Sequence, residues 1–239
     1  LTSAALIAAA MRTASNEPEA TELASTFRSD DEVRAWERPP AAVAASQREI
    51  ERGDIIVFKY PGNKKNPKRD SDRNPPIIPY QVNYVKRVIG MPGDNVEFRN
   101  NQVFINGNLL PEHRITGDST NQQAALKTKE TEPRQDNQKY DVYYSERTMK
   151  DPQKNKDQAE MYGFEYGVPG KTTKVPDDSY FVMGDSRDNS EDGRVWGFVN
   201  RDLIVGRAMF VYWSCDRSSD SMLSCITNPR FNRIGKMIK

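Results

Sequence analysis

Histidine and cysteine are almost missing from this chain: one His (His113) and two Cys (Cys215, Cys225) in 239 residues. Zinc sites draw on imidazole and thiolate at short regular spacings, and none occurs here, so neither a metal nor another cofactor is expected. An excess of one charge is missing too, with 35 Lys+Arg against 34 Asp+Glu and a formal net charge of +1. A protein that neutralises phosphates would concentrate basic residues on one stretch, so nucleic acid is not an expected partner. No apolar run approaches the ~18–20 residues that span a bilayer. The longest, Ala4–Met11, lacks a charged leading region and is shorter than a secretory signal peptide requires. A mean hydropathy of −0.82 marks a polar chain. Its length still suffices to bury the core of one large or two small domains.

Lysine is absent from residues 1–50, which hold 13 Ala, whereas residues 51–239 hold 4 Ala and all 15 Lys. The first stretch carries 5 Arg against 8 acidic residues, the remainder 30 basic against 26 acidic. Within the head, Ala4–Ala14 and Glu17–Phe27 read as short helices, but neither shows a broad apolar stripe. The break near residue 47 predicts an Ala-rich, Lys-free segment, 1–46, set apart from a domain over 47–239. Such a head is either a weakly helical leader or foreign sequence, from a fusion or from a frame or start-site error. The opening on Leu1 and not Met fits a fragment, an unusual start or a chosen boundary.

From Gly53 onward the pattern predicts a mainly β fold. Asp54–Tyr60 is a β-branched run closed by Pro61 and Gly62. Lys64–Pro79 is rich in charge and proline and reads as a loop. Gln81–Ile89 alternates, with Val82, Tyr84, Lys86 and Val88 on one face and Val85, Arg87 and Ile89 on the other. Val96–Phe98 and Val103–Ile105 flank Asn100-Asn101, a hairpin turn. Residues 112–174 form a long polar insertion. Its only Val, Ile and Leu are Ile115, Leu126, Val142 and Val168, but five tyrosines and Phe164 offer a thin core. Tyr180–Met183 is a strand, and Leu203–Trp213 another, with a bend or bulge at Gly206.

Two places depart from simple patterning. Lys86 shares a face with apolar residues, so its ammonium either reaches out to water or is desolvated. Desolvation disfavours the charged form and makes an amine able to act as a base at neutral pH. The second is Gly184–Arg194 (GDSRDNSEDGR), a polar loop after a strand and before Trp196-Gly197-Phe198. Asp185, Asp188 and Asp192 with Arg187 and Arg194 can rigidify it through charge-assisted bonds. Ser190 can bond a buried amine or serve as an ordinary turn residue.

In this order, Arg52–Pro61 (RGDIIVFKYP), Tyr84–Asp94 (YVKRVIGMPGD) and Gly184–Val199 (GDSRDNSEDGRVWGFV) resemble the bacterial type I signal peptidases, or leader peptidases. Arg201–Ser214 and Arg230–Gly235 extend the resemblance, which runs from about Arg48 to the end. It implies an antiparallel β fold with a large variable insertion at 112–174, and membrane-bound serine endopeptidases with a Ser–Lys dyad. Their substrates are the signal peptides of exported preproteins. Their catalytic domain works outside the cytoplasm, on the bacterial inner or plasma membrane. Residue by residue, Lys86 stands where the family keeps its general base and Ser190 where a hydroxyl holds that amine. Asp192 and Arg194 match the acid and arginine that brace the loop, and Gly184 and Asp185 the pair that opens it. A buried amine supplies the base without His or Asp.

The family's nucleophilic serine lies upstream of the RGD block, in a motif of the type SGSMxPTL, and nothing here resembles it. Ser3, Ser15, Ser25, Ser29 and Ser46 lack the Met and the Pro-Thr that follow it. Ser46 is also too close to the first strand. The nucleophile therefore stays unassigned, and the chain is expected to be inactive. The alternative is a noncatalytic, peptide-binding remnant of the family. A self-cleaving repressor domain, another Ser–Lys protease, lacks the GDSRDNS loop. Cys215 and Cys225 flank a Ser-rich loop and are as compatible with a disulfide in an extracytoplasmic compartment as with two free thiols.

Overall fold

The structure is a computed structural model that describes residues 5–9, 48–117, 128–130, 133–145, 148, 159–160, 163–214 and 231–238. Leu1–Ala9 and Glu51–Lys239 form one compact unit and Ala10–Ile50 another. All elements below belong to the first. Cys215, Cys225 and the five upstream serines lie outside the described residues.

The sheet at the centre is built from β1 (Ala5–Ala9), β2 (Ile55–Lys59), β3 (Asn83–Gly90), β11 (Ser179–Met183), β12 (Phe198–Asn200) and β13 (Ile204–Ser214). Its order is β1-β13-β2-β3-β11-β12, antiparallel throughout. β2 lies inside this sheet with Ile56, Val57 and Phe58 fully buried, which is why its sequence is an unbroken apolar run and not an alternating one. The bend expected at Gly206 is a register shift between Ile204 and Gly206 against β2.

A second sheet joins β4 (Asn95–Arg99), β5 (Gln102–Ile105), β6 (Asn108–Leu109) and β10 (Thr173–Lys174) in the order β10-β4-β5-β6. Asn100 and Asn101 turn the β4–β5 hairpin with φ of 47° and 64°, a backbone region that asparagine tolerates. The core unites both sheets: Ile89, Phe181 and Met183 from the first meet Val96, Val103 and Ile105 from the second.

In the polar insertion, β7 (His113–Gly117), β8 (Thr128–Glu130) and β9 (Asp141–Ser145) make a three-stranded sheet. Tyr140, Val142 and Tyr144 form a small apolar cluster there, in keeping with the thin tyrosine core predicted. β7 and β9 run parallel, a departure from the otherwise antiparallel scheme. The end of the 112–174 range rejoins the core, because Thr173 pairs with Val96.

Two local expectations are corrected. Ala5–Ala9 is a strand paired with β13, not the start of a helix. An apolar, small-residue segment of five lacks a helical stripe of its own, and a free sheet edge satisfies its backbone. The Lys64–Pro79 loop contains one helical turn, α1 (Lys68–Ser71). Asp70 anchors it from a buried position, accepting from the Tyr60 hydroxyl at 2.9 Å and the Asn63 N–H at 2.9 Å.

Candidate active site

β3 and β11 are neighbours, with Met183 opposite Arg87 and Val182 opposite Val88. The loop leaving β11 therefore starts beside Lys86, although the two are far apart in the chain. Arg187–Asn189 forms a single 3-10 turn, and Ser190 follows in extended conformation. Lys86 Nζ donates to Ser190 Oγ at 2.8 Å across 104 positions. The alternation that put Lys86 on an inward face holds from Asn83 to Lys86, with Val85 exposed on the other face; Arg87–Gly90 are buried on both faces, and Val82, expected on the inward face, is exposed.

Gly184 is what lets Ser190 approach. A Cβ at Gly184 would sit 2.6 Å from Ser190 Cβ and 3.5 Å from Lys86 Nζ. Gly184→Ala is accordingly expected to push Ser190 off the amine and to cost about 1–3 kcal/mol, the range for overpacking a tight site. Urea unfolding of the variant beside the parent checks this, and an unchanged midpoint would contradict the steric account.

Asp192 is completely buried and organises the far end of the loop. It caps α2 (Gly193–Trp196) by accepting from Arg194 N–H, and it also accepts from Arg194 Nε at 2.8 Å, Arg194 Nη2 at 2.9 Å and Gly184 N–H at 3.0 Å. Burial pushes its carboxyl up, but the charge and bonds of Arg194, with Lys86 and the Gly184 N–H, outweigh this and hold it below the ordinary carboxylate range. Arg194 also donates to the Arg187 carbonyl at 2.7 Å, so the acid and arginine tie both ends of the turn. Asp185 is gripped from the opposite side of β3 by Arg87, whose Nε and Nη2 reach its two oxygens at 2.7 and 2.8 Å. The same guanidinium donates to Gly53 O at 2.6 Å and stacks 4.1 Å from the Tyr140 ring.

Burial is the largest influence on the Lys86 amine and lowers its pKa below the ordinary lysine range. Arg194 acts in the same direction, while Asp192, Glu191 and Asp185 oppose. Between this lowered value and the ordinary lysine value the unfolded chain binds more protons than the folded one, so stability rises as pH climbs through that window. Lys86→Met removes that penalty. The variant is expected to be more stable near neutral pH by on the order of 1 kcal/mol, with the gap closing near pH 10. Urea midpoints at both pH values test it; a gap that widens with pH would reverse the sign.

Lys86, Ser190, Gly184, Asp185, Asp192 and Arg194, all singled out from the sequence, thus lie in one place. The sequence marks Arg87 only as a residue of the other strand face. Glu112 was missed: it pairs with Arg187 from the start of the insertion, 75 positions away, and no local pattern signals that.

A model of the family described as signal peptidase, peptidase S26, matches residues 2–213, taking in all but the first residue of the Ala-rich head, where no resemblance was expected, as well as the blocks after Arg48. Signal peptidase I of Aquifex aeolicus is 33% identical over 213 residues, covering 77% of this chain and 76% of that protein. The enzyme of the same name from Pseudomonas fluorescens is 33% identical over 202 residues, and the match spans 55% of its length. A crystal structure of signal peptidase I from Enterococcus faecalis aligns with 68% of this chain and 98% of that one, at 23% identity and a TM-score of 0.35. With a family match over most of its length and a relative this similar, the chain belongs to the signal peptidase family, peptidase S26.

Proposed function

We propose that this chain carries the base half of a Ser–Lys dyad of signal peptidase I type, an apparatus for removing N-terminal signal peptides from exported preproteins. The observation that carries it is the 2.8 Å bond from a desolvated Lys86 amine to Ser190. Lys86 is the general base and Ser190 its orienting partner. Asp192, Arg194, Gly184 and Asp185 hold the loop that delivers Ser190. In such a dyad the neutral amine takes the proton from a serine hydroxyl as its oxygen bonds to the scissile carbonyl carbon. It then returns the proton to the leaving amine as the C–N bond breaks. Burial and Arg194 lower the amine's pKa, the direction this step needs, with no histidine involved.

The nucleophile is unassigned, and the chain itself is proposed not to cut, because its upstream serines lack the family's motif. Ala5–Ala9 pairs in the sheet and the family match spans residues 2–213, so both speak against a head that is foreign over its whole length. That absence favours a second reading, a noncatalytic peptide-binding remnant. Among the described residues no helix is long and apolar enough to cross a membrane. Work at the outer face of the bacterial plasma membrane is proposed by family alone.

NMR titration of protein labelled at lysine Cε tests the base. The Lys86 resonance is expected to titrate well below the exposed lysines, and titration together with them would remove Lys86 from that role. Sequencing the encoding DNA upstream of Arg48 separates the two readings. A serine–methionine–proline–threonine motif in another frame marks a damaged copy of an enzyme, and its absence from all frames favours the remnant.

A further inference from the structure

The polar insertion reaches the Ser190 loop through a buried ion pair and through backbone bonds. Arg187 and Glu112 expose only 1% and 4% of their side chains, and Arg187 Nη1 donates to Glu112 Oε2 at 2.7 Å, with Nη2 on Oε1. Arg187 Nε donates to Gly184 O at 3.3 Å, at the entry to the loop. At its exit, the Arg187 carbonyl accepts from Arg194, which holds Asp192. From β9, the Tyr143 N–H donates to Asp185 O at 2.8 Å and the Ser145 N–H to Asp188 Oδ2 at 2.7 Å. Arg187 is thus the junction at which the insertion meets both ends of the loop.

A buried ion pair is poor evidence of added stability, since apolar residues of similar volume do as well or better. Its best-supported use is to select one arrangement among several. We propose that Glu112 is a positioning residue: through Arg187 it locks the 184–192 loop in the arrangement that keeps Ser190 on the Lys86 amine and water away from it. The proposal rests on Lys86 being the buried base. The charged groups acting most strongly on Lys86 are Asp185, Glu191, Asp192 and Arg194, and the Tyr84 ring lies 5.9 Å away on its own strand. Asp185 is itself paired with Arg87, and Glu191 with Arg69 and Arg73. Glu112 is spent on Arg187, so a change there reaches the amine through the position of the loop.

The test is the Lys86 titration in the full chain and in Glu112→Gln, Glu112→Asp and the double variant Glu112→Leu with Arg187→Met. In Glu112→Gln the loop loosens, water reaches the amine, and the midpoint rises by about one pH unit, a tenfold loss of neutral amine near pH 7. Glu112→Asp recovers part of the shift. If Glu112→Gln gives no dispersed spectrum, the double variant, which leaves no charge unpaired, replaces it with the same expected rise. A folded variant that melts earlier but titrates as the parent does would overturn the positioning role and leave Lys86 as base. A parent protein whose Lys86 titrates with the exposed lysines overturns both.

Discussion

A preprotein with small residues before its cut site, incubated with this chain in detergent, is expected to be cut no faster than in buffer alone. Lys86→Ala should leave that rate unchanged. Lys86 has a desolvated amine bonded to the Ser190 hydroxyl, but Ser190 is engaged with that amine and no upstream serine is followed by the Met and Pro-Thr of the family's motif. In serine hydrolases, loss of the nucleophile alone removes about 10⁶ in kcat. Each lost oxyanion donor removes about 10²–10³, and the family draws such donors from the same motif. Even a nucleophile an ångström out of place loses about 10²-fold. Robust turnover that Lys86→Ala abolishes would refute this and make an upstream serine the nucleophile, with Ser25 and Ser29 the first to substitute.

The second large effect is on stability. Asp192→Ala is expected to cost about 3–5 kcal/mol, the range for removing one partner of a buried ion pair. The substitution strands the buried Arg194 guanidinium and leaves the Gly184 and Arg194 N–H groups without their acceptor. The pH dependence has a definite sign. The folded protein holds the Asp192 carboxyl below its unfolded value. The stabilisation is therefore complete above the unfolded carboxylate pKa, about 4, and is lost as pH falls through the lower folded value. Urea midpoints from pH 7 down to 3 should decline less steeply in Asp192→Ala than in the parent. Parallel declines would show that Asp192 carries no such linkage.

Local chemistry accounts for much of what the sequence made legible. Period-two alternation marked the inward face on which Lys86 lies, and asparagine pairs marked the β4–β5 turn, because strand faces and turn dihedrals are properties of a few consecutive residues. Gly206 likewise announced its bulge. The same local rules misread Ala5–Ala9, since an alanine-rich segment carries almost no periodic signal and the edge of β13 decides its state.

By itself the sequence determined a mainly β chain, an inward lysine, a charged loop after a strand and a set of blocks sufficient for the family. It also determined the lack of a serine motif, which no folding can supply. Only the tertiary structure decided which charges meet. Lys86 reaches Ser190, Arg87 reaches Asp185 and Glu112 reaches Arg187 across 104, 98 and 75 positions. Those meetings follow from strand order, with β3 beside β11, and from an insertion that folds back on the loop. Strand order is fixed by long-range pairing and core packing, which leave no periodic mark on either partner's own stretch of chain.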